Sequence, residues 1–250
     1  MSSALETTPV LQATLRSVNE SDEFRRILSQ INQGARVISI SGLVAAPARA
    51  LALAALQHHC QKQFALVLPA QRDLENWERD ISFWYCALRG VSDCGEAVAV
   101  LPASESDPYA GGSPHAETLE RRALALWRLA RNQIRDAGAS TANRTHDTQA
   151  TDFVLLTSRA LARRTVAPGT ILNAGAVLRR DEDAPPEELI DKLIAGGYVR
   201  EDPIAAVGEF SMRGGILDVW PPGHEAPVRI EFFGDTVDSI REFDPETQLS

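Results

Sequence analysis

The segment Ser41-Gly-Leu-Val-Ala-Ala-Pro-Ala-Arg-Ala50 stands where an α/β protein would hold phosphate. It follows Arg36-Val-Ile-Ser-Ile-Ser41, read as a short buried strand, and precedes an Ala/Leu-rich stretch read as a helix. A working loop needs a glycine whose backbone can approach phosphate, a lysine for the outer phosphates and a hydroxyl for magnesium. Counted from Gly42, those three positions hold Pro47, Ala48 and Arg49. Proline removes an N–H from the anion cradle, and arginine brings charge but no metal-ligating hydroxyl. No Asp-Glu pair ends a later strand to hold magnesium. The loop position is kept and the nucleotide chemistry is not, so no NTP hydrolysis, cofactor or metal is expected of this chain. Residual anion binding through Arg49 stays open.

Other chemistry-bearing groups form no constellation. The five histidines (His58, His59, His115, His146, His224) accompany no nucleophile elbow. His58-His59-Cys60 looks metal-like, but Cys86 and Cys94 supply no second close pair, so reduced thiols are expected. Asp218 sits on an apolar strand and reads as a satisfied buried carboxylate. Asp107-Pro-Tyr-Ala-Gly-Gly-Ser-Pro114 reads as a turn-rich cap for the helix after it.

One group departs from its pattern. In Val228-Arg-Ile-Glu-Phe-Phe233, Val228, Ile230 and Phe232 point one way and Arg229, Glu231 and Phe233 the other. A large aromatic on the charged face is either covered by a second layer or kept for a partner. Glu209, Ser211 and Arg213 likewise share one face of their segment, with Phe210 and Met212 on the other. Two arginines flanking an exposed aromatic have the composition of a protein-docking hot spot. The alternative is that both arginines form salt bridges within the domain and Phe233 packs under a loop.

The elements that must position these groups fall into two styles. From residue 20 to about 175, strands at Arg36–Ser41, Phe64–Leu68, Ala97–Leu101 and Phe153–Thr157 alternate with helices at 20–33, 45–60, 73–85 and 116–131. That alternation predicts a parallel-sheet α/β domain. Residues 1–19 read as a tail, and 136–152, nearly free of apolar side chains, as a mobile insertion. From 176 to 250 a helix at Pro186–Gly196 is followed by short strands at 208–212, 215–220, 228–233 and 237–243, a small α+β module. Gly214-Gly215 marks a bulge or tight bend, and Pro221-Pro-Gly223 a turn. Phe210, Phe232, Phe243 and Trp220 read as core.

The net charge of −9 over 250 residues argues against a broad nucleic-acid surface. No apolar run approaches a membrane span and no signal peptide is apparent, so the expected location is cytoplasmic, away from membranes.

Gly208-Glu-Phe-Ser-Met-Arg-Gly-Gly-Ile-Leu-Asp-Val-Trp-Pro, Pro227-Val-Arg-Ile-Glu-Phe-Phe-Gly-Asp, Ser239-Ile-Arg-Glu-Phe-Asp-Pro-Glu-Thr-Gln, Pro108-Tyr and Ser113-Pro114 resemble the N-terminal region of the bacterial transcription-repair coupling factors, Mfd. That region is itself similar to the excision-repair protein UvrB. The resemblance implies a degenerate helicase-like, P-loop-type domain followed by a UvrB-like module that binds UvrA. By motif, the family's UvrA contacts match Arg213, Arg229 and Phe233. ATP, magnesium, double-stranded DNA and RNA polymerase belong, in the family, to domains absent here, and the chain is expected to be a fragment without catalysis of its own. A UvrB-related DNA-dependent NTPase is the competing reading. It is disfavoured by the broken loop and by the single tyrosine, Tyr109, between Pro102 and Glu117, where UvrB carries an aromatic-rich hairpin.

Overall fold

The computed structural model describes residues 9–103, 116–138 and 150–249. Its chain forms two compact units, one of residues 1–114 and 132–164, the other of 115–131 and 165–250.

The first unit begins with helix α1 (Pro9–Glu20) where a tail was expected. Helix α2 (Asp22–Asn32) starts at Ser21, whose hydroxyl accepts from the Phe24 N–H, and Asp22 and Glu23 in its first turn face the positive end of the helix dipole. The following helices are α3 (Ala46–Cys60), α4 (Leu74–Arg89) and α5 (Ala116–Gly138), of which only 132–138 belong to this unit, with strands β1 (Phe64–Leu68), β2 (Val98–Leu101) and β3 (Phe153–Thr157) and, directly after β3, helix α6 (Ser158–Leu161). The three strands are parallel in the order β1-β3-β2. Central β3 is buried at every residue, which a strand covered on both faces requires. Phe153 and Leu155 join Leu66, Val100 and the α4 residues Leu74 and Ile81 in one core.

The expected strand Arg36–Ser41 is not formed. These residues lie outside any ladder, with Val37 87% exposed and Ile40 46% exposed. Apolar composition makes a strand only where a neighbouring strand takes up its backbone N–H and C=O groups, and among the described residues none does. Phe153–Thr157 is therefore the third strand of this unit rather than the fourth. Both ends of the stretch 136–152, expected as a mobile insertion, take part in the fold. Helix α5 continues to Gly138, and Thr151 is buried, its carbonyl accepting from Asn132 (2.8 Å) and Gln63 (2.9 Å). Residues 139–149 and the turn-rich stretch 104–115, including Tyr109 and Asp107, lie outside the described residues.

The second unit holds α7 (Pro168–Ala174), α8 (Pro186–Ala195) and a five-stranded sheet. Its strands are β4 (Val199–Arg200), β5 (Glu209–Arg213), β6 (Ile216–Val219), β7 (Val228–Phe233) and β8 (Thr236–Glu242), hydrogen-bonded in that order. The sheet is mixed, since β4 runs parallel to β5 and every other pair is antiparallel. Phe210, Leu217, Val228, Ile230 and Val237 form a buried core with Leu189 of α8. Burying each such side chain is worth roughly 1.5–3 kcal/mol before ordering costs. Phe232 and Trp220, expected in this core, are only partly buried. His115–Arg131, expected with the α/β domain, groups with the second unit. Within that unit Glu120 accepts from the Gly223 N–H at 2.8 Å, and a Cβ at Gly223 would stand 2.5 Å from Leu124. Glycine permits that close approach.

Candidate docking face

Antiparallel register decides which side chains share a face. Ser211, Asp218, Arg229 and Arg241 stand side by side across β5-β6-β7-β8, and Arg213, Ile216, Glu231 and Ser239 form the next row. These two rows make the polar side of the sheet, opposite Phe210 and Leu217. The turn Gly214-Gly215 joins Arg213 to its partner Ile216 as a two-residue hairpin, with Gly214 at φ +60.

At the centre lies Asp218, 2% exposed. Its Oδ1 accepts from Arg229 Nε at 2.7 Å, and its Oδ2 from Arg229 Nη2 at 2.9 Å and Arg213 Nη2 at 3.0 Å. A buried carboxylate without such partners would be strongly destabilising. Arg229 also donates Nη1 to the Gln248 carbonyl at 3.2 Å and lies over the Phe243 ring, 4.5 Å from its centroid. The Asp218 carboxylate beside it raises the Arg229 pKa above the ordinary guanidinium value. Arg213 is held more loosely. Its Nη1 faces Asp202 at 3.4 Å, and both side chains are about half exposed. On the same face Arg241 pairs with Glu231, which also accepts from the Ser239 hydroxyl at 2.9 Å.

Phe233 ends β7 on this polar side and is 85% exposed. A register irregularity lies between Glu231 and Phe232, where Ser239 faces Glu231 and Val237 faces Phe232, leaving Asp238 as the extra residue of β8. Phe232 is thus set against buried Val237 while Phe233, opposite Thr236, emerges. The turn that follows is Gly234-Asp235, with Gly234 at φ +63 in the position where a tight hairpin of this kind demands a positive angle.

Of the alternative weighed from the sequence, one half holds: both arginines bond Asp218 within the unit. The other half does not, because Phe233 is open rather than packed under a loop. The arginines were paired by strand alternation, but their common anchor was missed. Asp218 was read alone as a satisfied carboxylate, and only the register shows that it stands between the two. Phe243 and Asp202, which lie outside the strands, were missed as partners too.

The phosphate-loop residues take another form. Gly42 (φ +90) and the loop to Ala45 are exposed, Pro47 lies in the first turn of α3, and Ala48 follows within that helix. Arg49 donates Nε to the Leu43 carbonyl at 2.5 Å, so the cation folds onto its own loop. Among the described residues no group of His, Cys, Asp and Glu suits a metal ion. His59 instead hydrogen-bonds Asn19 at 3.0 Å. No helix of the described residues is long and apolar enough to cross a membrane.

Residues 177–250, which carry this face, match the family described as the UvrB interaction domain. The chain is similar to the transcription-repair-coupling factor of Myxococcus xanthus, 32% identical over 90% of this chain and 17% of the relative. It is 29% identical to that of Bacillus subtilis over 93% of this chain and 18% of the relative. With the Staphylococcus haemolyticus factor the identity is 52%, over 29% of this chain and 6% of the relative. The chain therefore spans less than a fifth of the length of these curated relatives. By these matches the chain is homologous to the N-terminal part of the transcription-repair coupling factors, Mfd, including the UvrB interaction domain.

Proposed function

We propose that this chain is a recruitment module that docks UvrA and so brings excision repair to transcription complexes stalled at lesions. The observation that carries this reading is Phe233, an aromatic 85% exposed on the same sheet face as two arginines fixed on one buried carboxylate. Aromatic anchors and arginines dominate protein interfaces, and a charged rim steers association. Arg213, Arg229 and Phe233 form the proposed site, within the segment that matches the UvrB interaction domain. The first unit is read as a degenerate P-loop-type domain without catalysis, because Pro47, Ala48 and Arg49 replace the phosphate and magnesium groups. The setting is cytoplasmic, and RNA polymerase and double-stranded DNA are engaged by parts of the longer relatives that this chain does not span.

Titration of UvrA by calorimetry or interferometry tests the reading. Wild-type chain binds, and Phe233→Ala weakens binding about thirtyfold, the loss expected of a hot-spot aromatic. Undiminished binding by both Phe233→Ala and Arg213→Ala, with circular dichroism unchanged, removes the proposed site.

A further inference from the structure

Resting on that docking reading, we propose that Asp218 is the positioning residue of the face. It holds Arg213 in a partner-ready geometry for a carboxylate of UvrA. The two arginines differ in what they have left to offer. Arg229 uses Nε and Nη2 on Asp218 and Nη1 on the Gln248 carbonyl, with its guanidinium over Phe243 and its side chain only 17% exposed. Three of its five N–H donors are taken, and little of the side chain is open to a partner. Arg213 spends one nitrogen on Asp218 and is 51% exposed, its other terminal nitrogen turned to the exposed Asp202.

Two guanidinium charges around one buried carboxylate leave an excess of one positive charge, which at Arg213 is met only by the exposed Asp202. An unanchored arginine loses most of its side-chain freedom on binding. A buried carboxylate on a central strand removes that freedom in advance, because Asp218 can stay buried only while both arginines hold it. Asp202 competes from solvent for the nitrogen that a partner carboxylate would take. The two acidic neighbours of Arg213 therefore act in opposite senses, the buried one preparing the contact and the exposed one occupying it.

The test is UvrA binding by the full 250-residue chain carrying Arg213→Ala, Asp218→Asn, both together, and Phe233→Ala in each background. Asp218→Asn and Arg213→Ala are each expected to weaken binding about tenfold, and Arg213→Ala to add less than about twofold once Asp218→Asn is present, as coupled neighbours do. Phe233→Ala keeps its full effect in both backgrounds. Equal losses from Arg213→Ala with and without Asp218→Asn overturn the positioning role while leaving the docking reading intact. Arg213→Lys keeps the charge and leaves Asp218 in place, so it serves even if Asp218→Asn does not fold. It is expected to weaken UvrA binding nearly as much as Arg213→Ala, because an ammonium cannot bridge Asp218 and a partner carboxylate as the guanidinium fork does, and wild-type affinity in that variant overturns the assignment. Failure of the wild-type chain to bind UvrA sinks the docking reading itself.

Discussion

Arg49 of the first unit and Arg213 of the second are both exposed cations close to a glycine-bearing turn, yet they are anchored by different groups. Arg49 donates to the neutral carbonyl of Leu43 in its own exposed loop. Arg213 is tied to a buried carboxylate on the central strand of a five-stranded sheet, which also grips a second arginine. A local loop contact fixes neither the position nor the charge of a cation against solvent. A counter-ion built into a sheet fixes both, because moving it would leave a charge unpaired in the interior. The contrast separates a segment that keeps a site's place in the chain from one that keeps the physics of a site.

The largest expected effect contrasts two phenylalanines of the second unit. Phe210 is 0% exposed at the centre of the core, and Phe233 is 85% exposed beyond it. Phe210→Ala is expected to cost about 3–5 kcal/mol in urea unfolding, and Phe233→Ala less than about 0.5 kcal/mol. A comparable loss from Phe233→Ala would mean that its ring packs within the unit, and the proposed face would lose its aromatic.

Asp202 gives the next effect. Its exposed pair with Arg213 is worth about 0.2–1 kcal/mol, so Asp202→Asn is expected to tighten UvrA binding by up to about fivefold. Weaker binding by that variant would place Asp202 in the contact instead of in competition with it.

The same contrast explains what the sequence could and could not disclose. Strand β7 was legible from its alternation, because that pattern is written within one element. Phe233 was legible for that reason too. Arg36–Ser41 misled because a strand is a relation between two segments, and the apolar run says nothing about whether a neighbour is there. Helix α1 was overlooked because a polar N-terminus was read as a tail. The Asp218 anchor was illegible because Arg213, Asp218 and Arg229 come together only through the register of three strands. That register depends on the two-residue turn at Gly214-Gly215, which was read as either a bulge or a bend. Asp202 comes from outside the strands altogether.

The first unit should respond to pH through His58. In the last turn of α3 its Nδ1 is buried without a hydrogen-bond partner. Burial lowers its pKa below the ordinary 6.5, and the neighbouring charges of His59 and Arg89 lower it further. The unfolded chain therefore takes up a proton that the folded unit resists. The stability this contributes is complete above about pH 6.5 and is lost as pH falls through the depressed folded value. The first unit's melting transition is expected to drop by a few degrees between about pH 7 and pH 5.5, which corresponds to about 1 kcal/mol or less. His58→Gln flattens that dependence. A profile identical in wild type and variant would show that the group responsible lies elsewhere.

The smallest expected effect is none, and it bears directly on the comparison between the two arginines. Millimolar ATP with magnesium should leave the melting of the first unit unmoved. A ligand present at a hundred times its Kd adds about 2.7 kcal/mol to a folded domain, a shift that scanning calorimetry resolves easily. Proline at position 47 has withdrawn one N–H donor from the loop, and Arg49 has its Nε committed to Leu43, so little remains to hold phosphate against water. A stabilisation by ATP or by inorganic phosphate that disappears in Arg49→Ala would break the contrast, because a cation anchored only by its own loop would then be enough to make a site.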